Sequence, residues 1–330
     1  MKLNNKKVLV TGAGGFIGSH LVEALLEKGA NVRAFVKYNG RDDWGMLSDL
    51  PAERQKNIEV IAGDIRDPFF VREAVRTCDY VFHLAALIGI PYSYLAPADY
   101  VSVNVQGTVN VLQACLNEKV QRLVHTSTSE TYGTAIYVPI DEKHPMHGQS
   151  PYSASKIGAD KMAESYYNSF DLPVVTVRPF NTFGPRQSAR AFIPTVISQA
   201  LTKNKVVVGS LEPVRDLTFV KDTAEGLIKV GLSNAVIGQA VNLGVGVGNS
   251  VGDIAKAILK ILDKTDMPIE QSSERVRPSK SEVMRLVSDN SKAKNLCGWK
   301  PKYDLEQGLA ETVAWIRKNI ERYRPDVYTV

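Results

Sequence analysis

The chain has 330 residues, of which 44% are hydrophobic and 23% are charged, and its formal net charge is +5. This length predicts one large domain or two lobes that share a cleft, and the composition is that of a globular protein. Because Lys and Arg are scattered and no apolar run approaches the ~18 residues of a membrane span, we expect a small anionic ligand rather than nucleic acid or a membrane.

Cysteine and histidine usage argues against two further classes. The three cysteines, Cys78, Cys115 and Cys297, are far apart and odd in number, which argues against a disulfide framework and favours a reducing cytoplasm. The stretch MKLNNKKVLVTGAGG runs directly into a strand and a glycine loop, so we expect no signal peptide. His144 and His147 lie in a loop without a cysteine or carboxylate cluster, and we expect no metal site.

Short apolar runs alternate with helical segments over the first 180 residues. The strand candidates, in chain order, are KVLV, NVRAFV, IEVIAGD, YVFHLAA, RLVHTST and PVVTVRP. The helix candidates between them are SHLVEALLEKG, PFFVREAVRTC, DYVSVNVQGTVNVLQACLNEK and YSASKIGADKMAESYYNSF. Strands that are apolar throughout and alternate with helices of ~10–20 residues predict a parallel sheet covered on both faces. The predicted fold class is α/β, a Rossmann-type doubly wound sheet.

This regularity ends near residue 180. The next segment is rich in loops around one predicted helix, FIPTVISQALTK, whereas VKDTAEGLIKVGL and AVNLG predict a helix and a strand that return to the sheet. The rest of the chain is more helical. We therefore interpret residues 1–180 plus about 217–245 as a dinucleotide-binding domain, and about 181–216 plus 246–330 as a smaller, mostly helical substrate lobe.

The glycine loop after the first strand is the first functional motif. Gly12, Gly15 and Gly18 are spaced so that the chain turns tightly and opens a helix with Phe16 and Ile17 in its first turn. Glycine lets the backbone approach a pyrophosphate, which the amide groups at the helix N-terminus then hold. The loop therefore predicts a bound dinucleotide.

The end of the second strand selects between nicotinamide cofactors. An acid there binds the ribose hydroxyls of NAD, whereas a base accommodates the 2′-phosphate of NADP. The sequence has Val36 and Lys37 at this position and Arg41 nearby, which favours NADP slightly over NAD, although a solvated Lys37 is equally consistent with the pattern. Asp64 ends the third strand, where its carboxylate either accepts from the adenine amino group or caps the next helix.

A tyrosine and a lysine four residues apart begin a later helix. Tyr152 and Lys156 follow a proline and share one helix face. The ammonium of Lys156, together with a positive nicotinamide, would lower the pKa of Tyr152 from its usual ~10. Such a tyrosine removes the proton from a substrate hydroxyl while hydride leaves the carbon. The spacing therefore predicts an oxidation step at a hydroxyl group.

Six segments together resemble a known family. They are the glycine loop, HLAA, NVQGT, TSTSETYG, YSASK and RPFNTFGPRQ. Over essentially its whole length the sequence resembles the nucleotide-sugar branch of the extended short-chain dehydrogenase/reductase superfamily. The resemblance implies a Thr128–Tyr152–Lys156 triad and makes Asn104 a structural partner beside the cofactor. It further implies cofactor contacts from Ile65, Leu84, Ala85 and Ala86, and substrate contacts from Asn181, Arg186, Arg190, Arg215 and Arg277.

An acid in TSTSETYG narrows the chemistry. Thr128-Ser129-Glu130 resembles the Thr-Ser-Glu pattern of GDP-mannose-type 4,6-dehydratases, whereas related epimerases carry small or neutral residues after the Ser or Thr. Oxidation at C4 of a sugar acidifies the C5 proton, which a carboxylate removes while water leaves from C6. Hydride then returns to C6, so the cofactor is regenerated in each turnover. Glu130 is the only acid of the motif and is expected to act as base and acid, with Ser129 at most relaying a proton.

Longer runs such as ALIGIPYSYLAP, PIDEKHP and RPFNTFGPRQSARAFIPT are similar to bacterial N-acetylglucosamine 4,6-dehydratases of legionaminic-type nonulosonic acid pathways. The resemblance implies a UDP- or GDP-linked N-acetylhexosamine substrate, a tightly bound NADP or NAD, and a homodimer that pairs helices 99–118 and 152–169. Three related activities use the same residues: conversion of a 5,6-ene sugar, UDP-glucuronate decarboxylation and 4-epimerisation. The intact triad argues against a non-enzymatic nicotinamide sensor.

Overall fold

The computed structural model describes residues 3–272, 278 and 280–323 of the chain. Its strands are β1 (Lys7–Thr11), β2 (Asn31–Lys37), β3 (Ile58–Gly63), β4 (Tyr80–His83), β5 (Arg122–Thr126), β6 (Val174–Pro179), β7 (Asn181–Phe183), β8 (Val206–Val208), β9 (Val214–Phe219), β10 (Ala240–Leu243), β11 (Gly248–Ser250), β12 (Ile269–Gln271) and β13 (Arg285–Leu286). Its α-helices are α1 (Phe16–Glu27), α2 (Ala52–Gln55), α3 (Pro68–Val75), α4 (Ile90–Leu95), α5 (Pro97–Tyr100), α6 (Gly107–Asn117), α7 (Pro151–Phe170), α8 (Phe192–Thr202), α9 (Val220–Leu232), α10 (Val251–Ile261), α11 (Ser291–Cys297) and α12 (Leu305–Lys318). Every strand predicted from the sequence is present.

The central sheet has seven parallel strands in the order β3-β2-β1-β4-β5-β6-β10. Val8 of β1, for example, lies opposite Val32 of β2 on one side and Tyr80 of β4 on the other. The order runs outward in both directions from β1 and β4, which is the arrangement of a doubly wound dinucleotide-binding sheet. The predicted Rossmann-type fold class is therefore confirmed.

Separate hydrophobic clusters cover the two faces of this sheet. Val8 and Val10 belong to a cluster that includes residues of α1 and α9, whereas Leu9 belongs to a cluster that includes residues of α3, α6 and α7. Because successive side chains of a strand point to opposite faces, both faces of β1 are buried in apolar side chains. This two-sided burial explains why the strand sequences are apolar throughout.

The predicted site residues follow the carboxyl ends of these strands. The glycine loop begins after Thr11 of β1, Asp64 follows Gly63 of β3, Leu84 follows β4, and Thr128 lies just after β5. Parallel strands end at one edge of a sheet, so these residues lie along a common edge. Ligands of such sheets bind in the crevice where the strand order reverses, which here is between β1 and β4.

The predicted helix DYVSVNVQGTVNVLQACLNEK is helical from Asp99 to Asn117 and has a widened turn in its middle. α5 leads into a π-helical turn, Val101–Gln106, which leads directly into α6. Such turns occur often at functional sites, and this one contains the buried Asn104. In the part of the chain that the structure describes, no helix combines the length and apolar character that crossing a membrane requires.

The region after β6 has more strands than the sequence predicted. β7, β9, β11 and β13 form a four-stranded sheet, and β8 pairs with β12. Side chains of α8, α10 and α12 pack in a third hydrophobic cluster that includes Phe183, Val196 and Ile258. β7, β8 and β11 are three residues long, too short to show a strand period in the sequence. The lobe boundaries stay a prediction.

Candidate active site

The glycine loop between β1 and α1 forms the first part of the site. Gly12 has a φ of 70°, in the left-handed region that favours glycine, and a Cβ there would lie 2.8 Å from the backbone nitrogen of Ala85. A Cβ at Gly18 would overlap the carbonyl oxygen of Gly12. Close backbone packing therefore requires glycine at both positions.

The start of α1 fits a dinucleotide pyrophosphate. Gly15 immediately precedes the helix, and no side chain caps the amide groups of the first turn, which begins with Phe16 and Ile17. Uncapped amides at the positive end of a helix dipole bind anions. The cradle is filled by neither a Cβ nor a capping side chain, so the loop has the space and the donors that a pyrophosphate needs.

Thr11 and His83 fasten the glycine loop to the segment after β4. The Thr11 hydroxyl oxygen accepts from the backbone nitrogens of Leu84 and Ala85, both at 3.1 Å, and lies 2.8 Å from His83 Nδ1. His83 Nε2 lies 3.0 Å from the Thr108 hydroxyl, and burial lowers the pKa of His83 well below its usual value. Both residues are absent from the sequence-based site, although a polar residue at the end of an apolar strand was the available signal.

The segment after β4 lies next to this loop. Leu84, Ala85 and Ala86 are partly exposed there, as a cofactor-lining segment must be. Ile65, by contrast, is buried against α6, where a Cβ at Gly107 would lie 2.8 Å from its Cγ2. The cofactor contacts of these four residues stay a prediction.

The loop after β2 is organised by an asparagine. Asn39 Oδ1 accepts from the backbone nitrogens of Arg41 and Asp43, at 3.0 and 3.1 Å, and its Nδ2 donates to the Asp43 carbonyl oxygen at 2.8 Å. Lys37, at the end of β2, and Arg41 are both exposed. Two basic side chains are therefore accessible at the strand end that, in dinucleotide-binding folds, contacts the adenosine ribose.

Asp64 does not cap the helix that follows it. Arg66 binds both of its carboxylate oxygens, at 2.9 and 2.6 Å, and these hydrogen bonds lower the pKa of Asp64 to about 2. α3 is capped instead by Asp67, whose side chain accepts from the backbone nitrogens of Phe69 and Phe70. The capping alternative for Asp64 is wrong, and its contact with the adenine stays a prediction.

Asn104 joins the segment after β4 to α7. Its Oδ1 accepts from the backbone nitrogen of Leu87 at 2.8 Å. Its Nδ2 donates to the Leu87 carbonyl oxygen at 3.0 Å and to the Ser155 hydroxyl at 2.9 Å. The amide is thus used inside the protein, where it braces the two segments that flank the cleft.

The beginning of α7 positions the tyrosine and the lysine. Ser150 and Ser153 cap the helix reciprocally, each side chain accepting from the other's backbone nitrogen. This cap fixes the first turn, which contains Tyr152, and Lys156 follows one turn later on the same face. Lys156 Nζ donates to the carbonyl oxygen of Thr126, at the end of β5, at 2.8 Å.

The predicted triad is assembled. The Thr128 side chain is close enough to the Tyr152 phenol to oppose the rise of its pKa, and its Oγ1 accepts from the backbone nitrogen of Glu130 at 3.2 Å. The ring of Tyr100 meets the Tyr152 ring edge-on, with centroids 6.2 Å apart. Thr128 is therefore a neighbour of both Tyr152 and the backbone of Glu130.

Burial dominates the electrostatics of the pair. Burial raises the pKa of Tyr152, the hydrogen bond with Thr128 opposes this rise, and the charge of Glu130 adds to it. Burial lowers the pKa of Lys156 to about 8, against the opposing charge of Asp160. In the chain alone the pKa of Tyr152 is raised, because burial desolvates the phenolate, and the lowering expected with a bound positive nicotinamide stays a prediction.

Glu130 lies in a short 3-10 turn, Ser129–Tyr132, directly after β5. It is 9% exposed, and among residues 3–272, 278 and 280–323 none forms a hydrogen bond or ion pair with its carboxylate. Its charge nevertheless acts on the Tyr152 phenol. Ser129 is buried beside it. A largely covered glutamate whose carboxylate has no partner among the described residues, close to a tyrosine, is placed to exchange a proton with a ligand.

A second acid, Asp160, is buried next to the site and is fully paired. Asp160 lies 3.1 Å from His125 Nε2 through one oxygen and 3.1 Å from Arg178 Nε through the other, and Arg178 Nη1 donates to the Tyr132 hydroxyl at 3.0 Å. Burial raises the pKa of Asp160, but the hydrogen bond from His125 and the charge of Arg178 outweigh it and bring the pKa to about 2. The sequence reasoning missed this network, whose signal was an acid one turn after Lys156.

Two of the predicted substrate residues lie on paired strands. Asn181 begins β7 and lies opposite Leu217 of β9, two residues from Arg215. Arg190 is exposed in the loop before α8. Arg215 of β9 forms an ion pair with Glu282 at 3.0 Å. Arg277 lies outside the described residues. Within the described ranges, no three His, Cys, Asp or Glu side chains lie together as a metal site.

Arg186 is bound to α1. It is buried, and its guanidinium is bound by His20 and Glu23 of that helix. Its predicted contact with the substrate stays a prediction.

Comparison with known proteins gives the same class of protein. A family model described as GDP-mannose 4,6 dehydratase matches residues 9–312. The dTDP-D-glucose 4,6-dehydratase of Mus musculus is 32% identical over 325 residues, which cover 97% of this chain and 91% of that protein.

Two solved structures are closely similar. The dTDP-glucose 4,6-dehydratase DesIV from Streptomyces venezuelae, solved with NAD bound, has a TM-score of 0.88 at 28% identity, covering 97% of this chain and 99% of that one. The UDP-N-acetylglucosamine 4-epimerase from Methanobrevibacter ruminantium, solved with UDP-N-acetylmuramic acid, has a TM-score of 0.86 at 30% identity, covering 96% and 99%.

The fold, the glycine loop and the Thr128–Tyr152–Lys156 arrangement define an extended short-chain dehydrogenase/reductase of the nucleotide-sugar type, as the resemblance indicated. The chain belongs to the GDP-mannose 4,6-dehydratase family. Its relatives include both dehydratases and epimerases, so membership alone does not choose the reaction.

Proposed function

We propose that the protein is an NDP-N-acetylglucosamine 4,6-dehydratase, which converts its substrate to a 4-keto-6-deoxy sugar nucleotide. One observation supports this most directly: Glu130 is 9% exposed as a residue, its charge acts on Tyr152, and its carboxylate has no hydrogen-bond or ion-pair partner among the described residues. An epimerase needs the tyrosine but has no use for a second proton-transferring group at C5.

The first step is oxidation of the sugar at C4. Tyr152 removes the O4 proton, with the Thr128 hydroxyl as its hydrogen-bond partner. Lys156, held by the Thr126 carbonyl oxygen, supplies a positive charge that stabilises the phenolate. The nicotinamide, when bound, accepts the C4 hydride and later returns it to C6.

The second step is elimination of water across C5 and C6. The C4 ketone acidifies the C5 proton, which Glu130 removes, and the electron pair of that C–H bond forms the C5–C6 double bond. The C6–O bond breaks, and the departing hydroxyl takes a proton from Glu130, with Ser129 as a relay, so that water leaves. Hydride addition at C6 and protonation of C5 complete the 4-keto-6-deoxy product. The proton taken from C5 leaves in the water molecule, and the proton taken from O4 replaces it at C5. The net change is therefore the loss of one water.

The proposed cofactor and substrate rest on the end of β2 and on similar solved structures. The exposed Lys37 and Arg41 at the end of β2 support NADP over NAD, whereas the similar structure of DesIV contains NAD. The similar UDP-N-acetylglucosamine 4-epimerase supports a UDP-linked or GDP-linked N-acetylhexosamine. Extraction of the cofactor from purified protein and its chromatographic identification would decide the first point, with NAD as the contradicting result.

A homodimer in the cytoplasm completes the proposal. Val101 of the π-helical turn and Phe170 at the end of α7 are 56% and 53% exposed, which supports pairing through these helices. The free cysteines Cys78, Cys115 and Cys297 fit a reducing compartment. A monomer mass by light scattering at micromolar concentration would contradict the dimer.

4-Epimerisation is the second candidate, because a UDP-N-acetylglucosamine 4-epimerase is similar over almost the whole chain. Conversion of a 5,6-ene sugar and decarboxylation of UDP-glucuronate also use a tyrosine with an adjacent acid. The test is incubation of the purified enzyme with UDP- and GDP-N-acetylglucosamine, and separately with UDP-glucuronate, followed by mass spectrometry.

Loss of one water from either N-acetylglucosamine nucleotide is the expected result, and the reacting nucleotide identifies the base. An unchanged mass with an inverted C4 by nuclear magnetic resonance would establish the epimerase. Loss of carbon dioxide from UDP-glucuronate alone would establish the decarboxylase.

A further inference from the structure

A buried polar cluster joins the loop after β7 to α1. Arg186 is 5% exposed, and its Nη2 lies 2.6 Å from His20 Nδ1. The same guanidinium forms an ion pair with Glu23, and His20 Nε2 lies 3.0 Å from the carbonyl oxygen of Pro185. His20 and Glu23 both belong to α1, so the arginine connects the helix of the glycine loop to a distant segment of the chain.

The protonation of the cluster follows from its neighbours. His20 Nε2 lies 3.0 Å from the Pro185 carbonyl oxygen and 3.2 Å from Arg186 Nε, so the guanidinium approaches both ring nitrogens. Burial, and next the charge of Arg186, lower the pKa of His20 to about 3, so the ring stays neutral near pH 7. Glu23 is then the anion of the cluster, and Arg54 Nη1 donates to its other oxygen at 3.0 Å.

The loop around Arg186 is shaped to hold the arginine in this place. Arg186 has a φ of 68°, a left-handed conformation that non-glycine residues adopt only when their surroundings enforce it. Two residues earlier, Gly184 has a φ of 152°, and a Cβ there would lie 2.5 Å from Val220 Cγ1. Gln187 Nε2 donates to the Thr182 carbonyl oxygen at 3.1 Å. The contacts of Arg186 with α1 are the interactions that this strained turn makes possible.

The cluster also reaches the first turn of α1. The His20 ring meets the Phe16 ring edge-on, with centroids 5.9 Å apart, and the Ser19 hydroxyl donates to the Phe16 carbonyl oxygen at 2.9 Å. Phe16 is the first residue of the helix, next to the uncapped amides of the glycine loop. Movement of His20 would therefore move the turn that holds a pyrophosphate.

We propose that Arg186 is a positioning residue for the dinucleotide cofactor. Through His20 and Glu23 it fixes α1 against the loop that follows β7, and it does not bind the nucleotide sugar. The inference rests on the proposed dinucleotide site but not on which sugar reaction follows it. A failure of the dehydratase proposal therefore leaves the test unaffected, because its readout is cofactor binding.

The test compares Arg186→Met with the matched variant Arg317→Met. Arg317 is an exposed arginine on α12, whereas Arg186 is buried against α1. The dissociation constants of NAD and NADP would be measured by calorimetry on cofactor-stripped protein, and those of UDP and GDP in parallel. Loss of a charged hydrogen bond is expected to weaken cofactor binding about tenfold in Arg186→Met and to leave it unchanged in Arg317→Met. Unchanged cofactor affinity together with weakened UDP or GDP binding in Arg186→Met would overturn the proposal.

Glu23→Gln provides an independent variant. The Glu23 side chain is partly exposed on α1, so the change is expected to be tolerated by the fold. It should weaken cofactor binding in the same direction, and the effects in the double variant should be less than additive, since both changes remove the ion pair between Arg186 and Glu23. Fully additive effects would contradict the proposal. If Arg186→Met does not fold, unchanged cofactor affinity in Glu23→Gln overturns it.

Discussion

Two acids near the catalytic tyrosine have opposite surroundings. Asp160 is bound by His125 through one oxygen and by Arg178 through the other. The carboxylate of Glu130 has no such partner among the described residues, although Glu130 as a residue is only 9% exposed. A buried charge is stable when it is paired and hydrogen-bonded, as the carboxylate of Asp160 is. The comparison separates an acid that maintains the shape of the site from one that is available to a substrate.

The two regions also differ in how they act on Lys156. Asp160 follows Lys156 by one helical turn, and its charge opposes the lowering of the lysine pKa by burial. Glu130 acts on the other side, where its charge raises the pKa of Tyr152. The charge of Asp160 therefore favours the charged form of Lys156, whereas the charge of Glu130 favours the protonated form of Tyr152.

The largest effect on turnover is expected from a change at Tyr152, on which the charges of both Glu130 and Asp160 act. Tyr152→Phe removes the group that takes the O4 proton but retains the ring that packs against Tyr100. Turnover should fall by about 10³-fold or more, and the thermal midpoint should change little. Product formation by mass spectrometry and calorimetric unfolding measure the two quantities. Turnover within tenfold of the unchanged protein would contradict the role of the phenol.

Asp160→Asn tests the supporting region, and its main effect should be on stability. Leaving Arg178 without its buried anion is expected to cost about 3 kcal/mol in the free energy of unfolding. The pKa of Asp160 is about 2 in the folded protein, against an ordinary value of 3.8. Its contribution to the free energy of unfolding is therefore complete above pH 3.8 and is lost as pH falls through 2. Denaturant titrations at pH 7 and near pH 3 should therefore show a smaller difference at the lower pH. An equal difference at both would argue against a charged Asp160.

A smaller effect concerns the pH dependence of Lys156. Its pKa of about 8 means that the ammonium is lost as pH rises through this value, so the turnover number should decline above it. The same lowered pKa makes the folded state gain stability between pH 8 and 10.5, where the unfolded chain binds more protons. Lys156→Arg keeps its charge at these pH values, and its lower turnover should lose the alkaline decline. Persistence of the decline would assign it to another group.

Most of the cofactor half could be predicted from the sequence, because its signals are local. The glycines need only their own turn, and Tyr152 and Lys156 need only one helix. Arg186 shows the limit of this reasoning: its partners on α1 are 163 and 166 residues away in the chain, and no local pattern announces them. The capping of α3 by Asp67 rather than Asp64 could have been read from the sequence, since Pro68 directly follows Asp67.

The acid region shows a second limit. The sequence identified Glu130 by its place in the motif, but the motif does not show whether a carboxylate is paired. Asp160 lies on the same helix face as Lys156 and has an equally acidic side chain. In the structure, His125 of β5 and Arg178 of β6 pair with Asp160 of α7. No described residue pairs with the carboxylate of Glu130.

The most direct test of the central claim is a single-turnover reaction of Glu130→Gln with the N-acetylglucosamine nucleotide that the wild-type enzyme dehydrates. The absorbance of the reduced nicotinamide would be followed together with the mass of the sugar nucleotide. Oxidation at C4 needs Tyr152 but not Glu130, so reduced cofactor should accumulate while no water is lost. Formation of the 4-keto-6-deoxy product at a rate near that of the wild-type enzyme would contradict the role of Glu130.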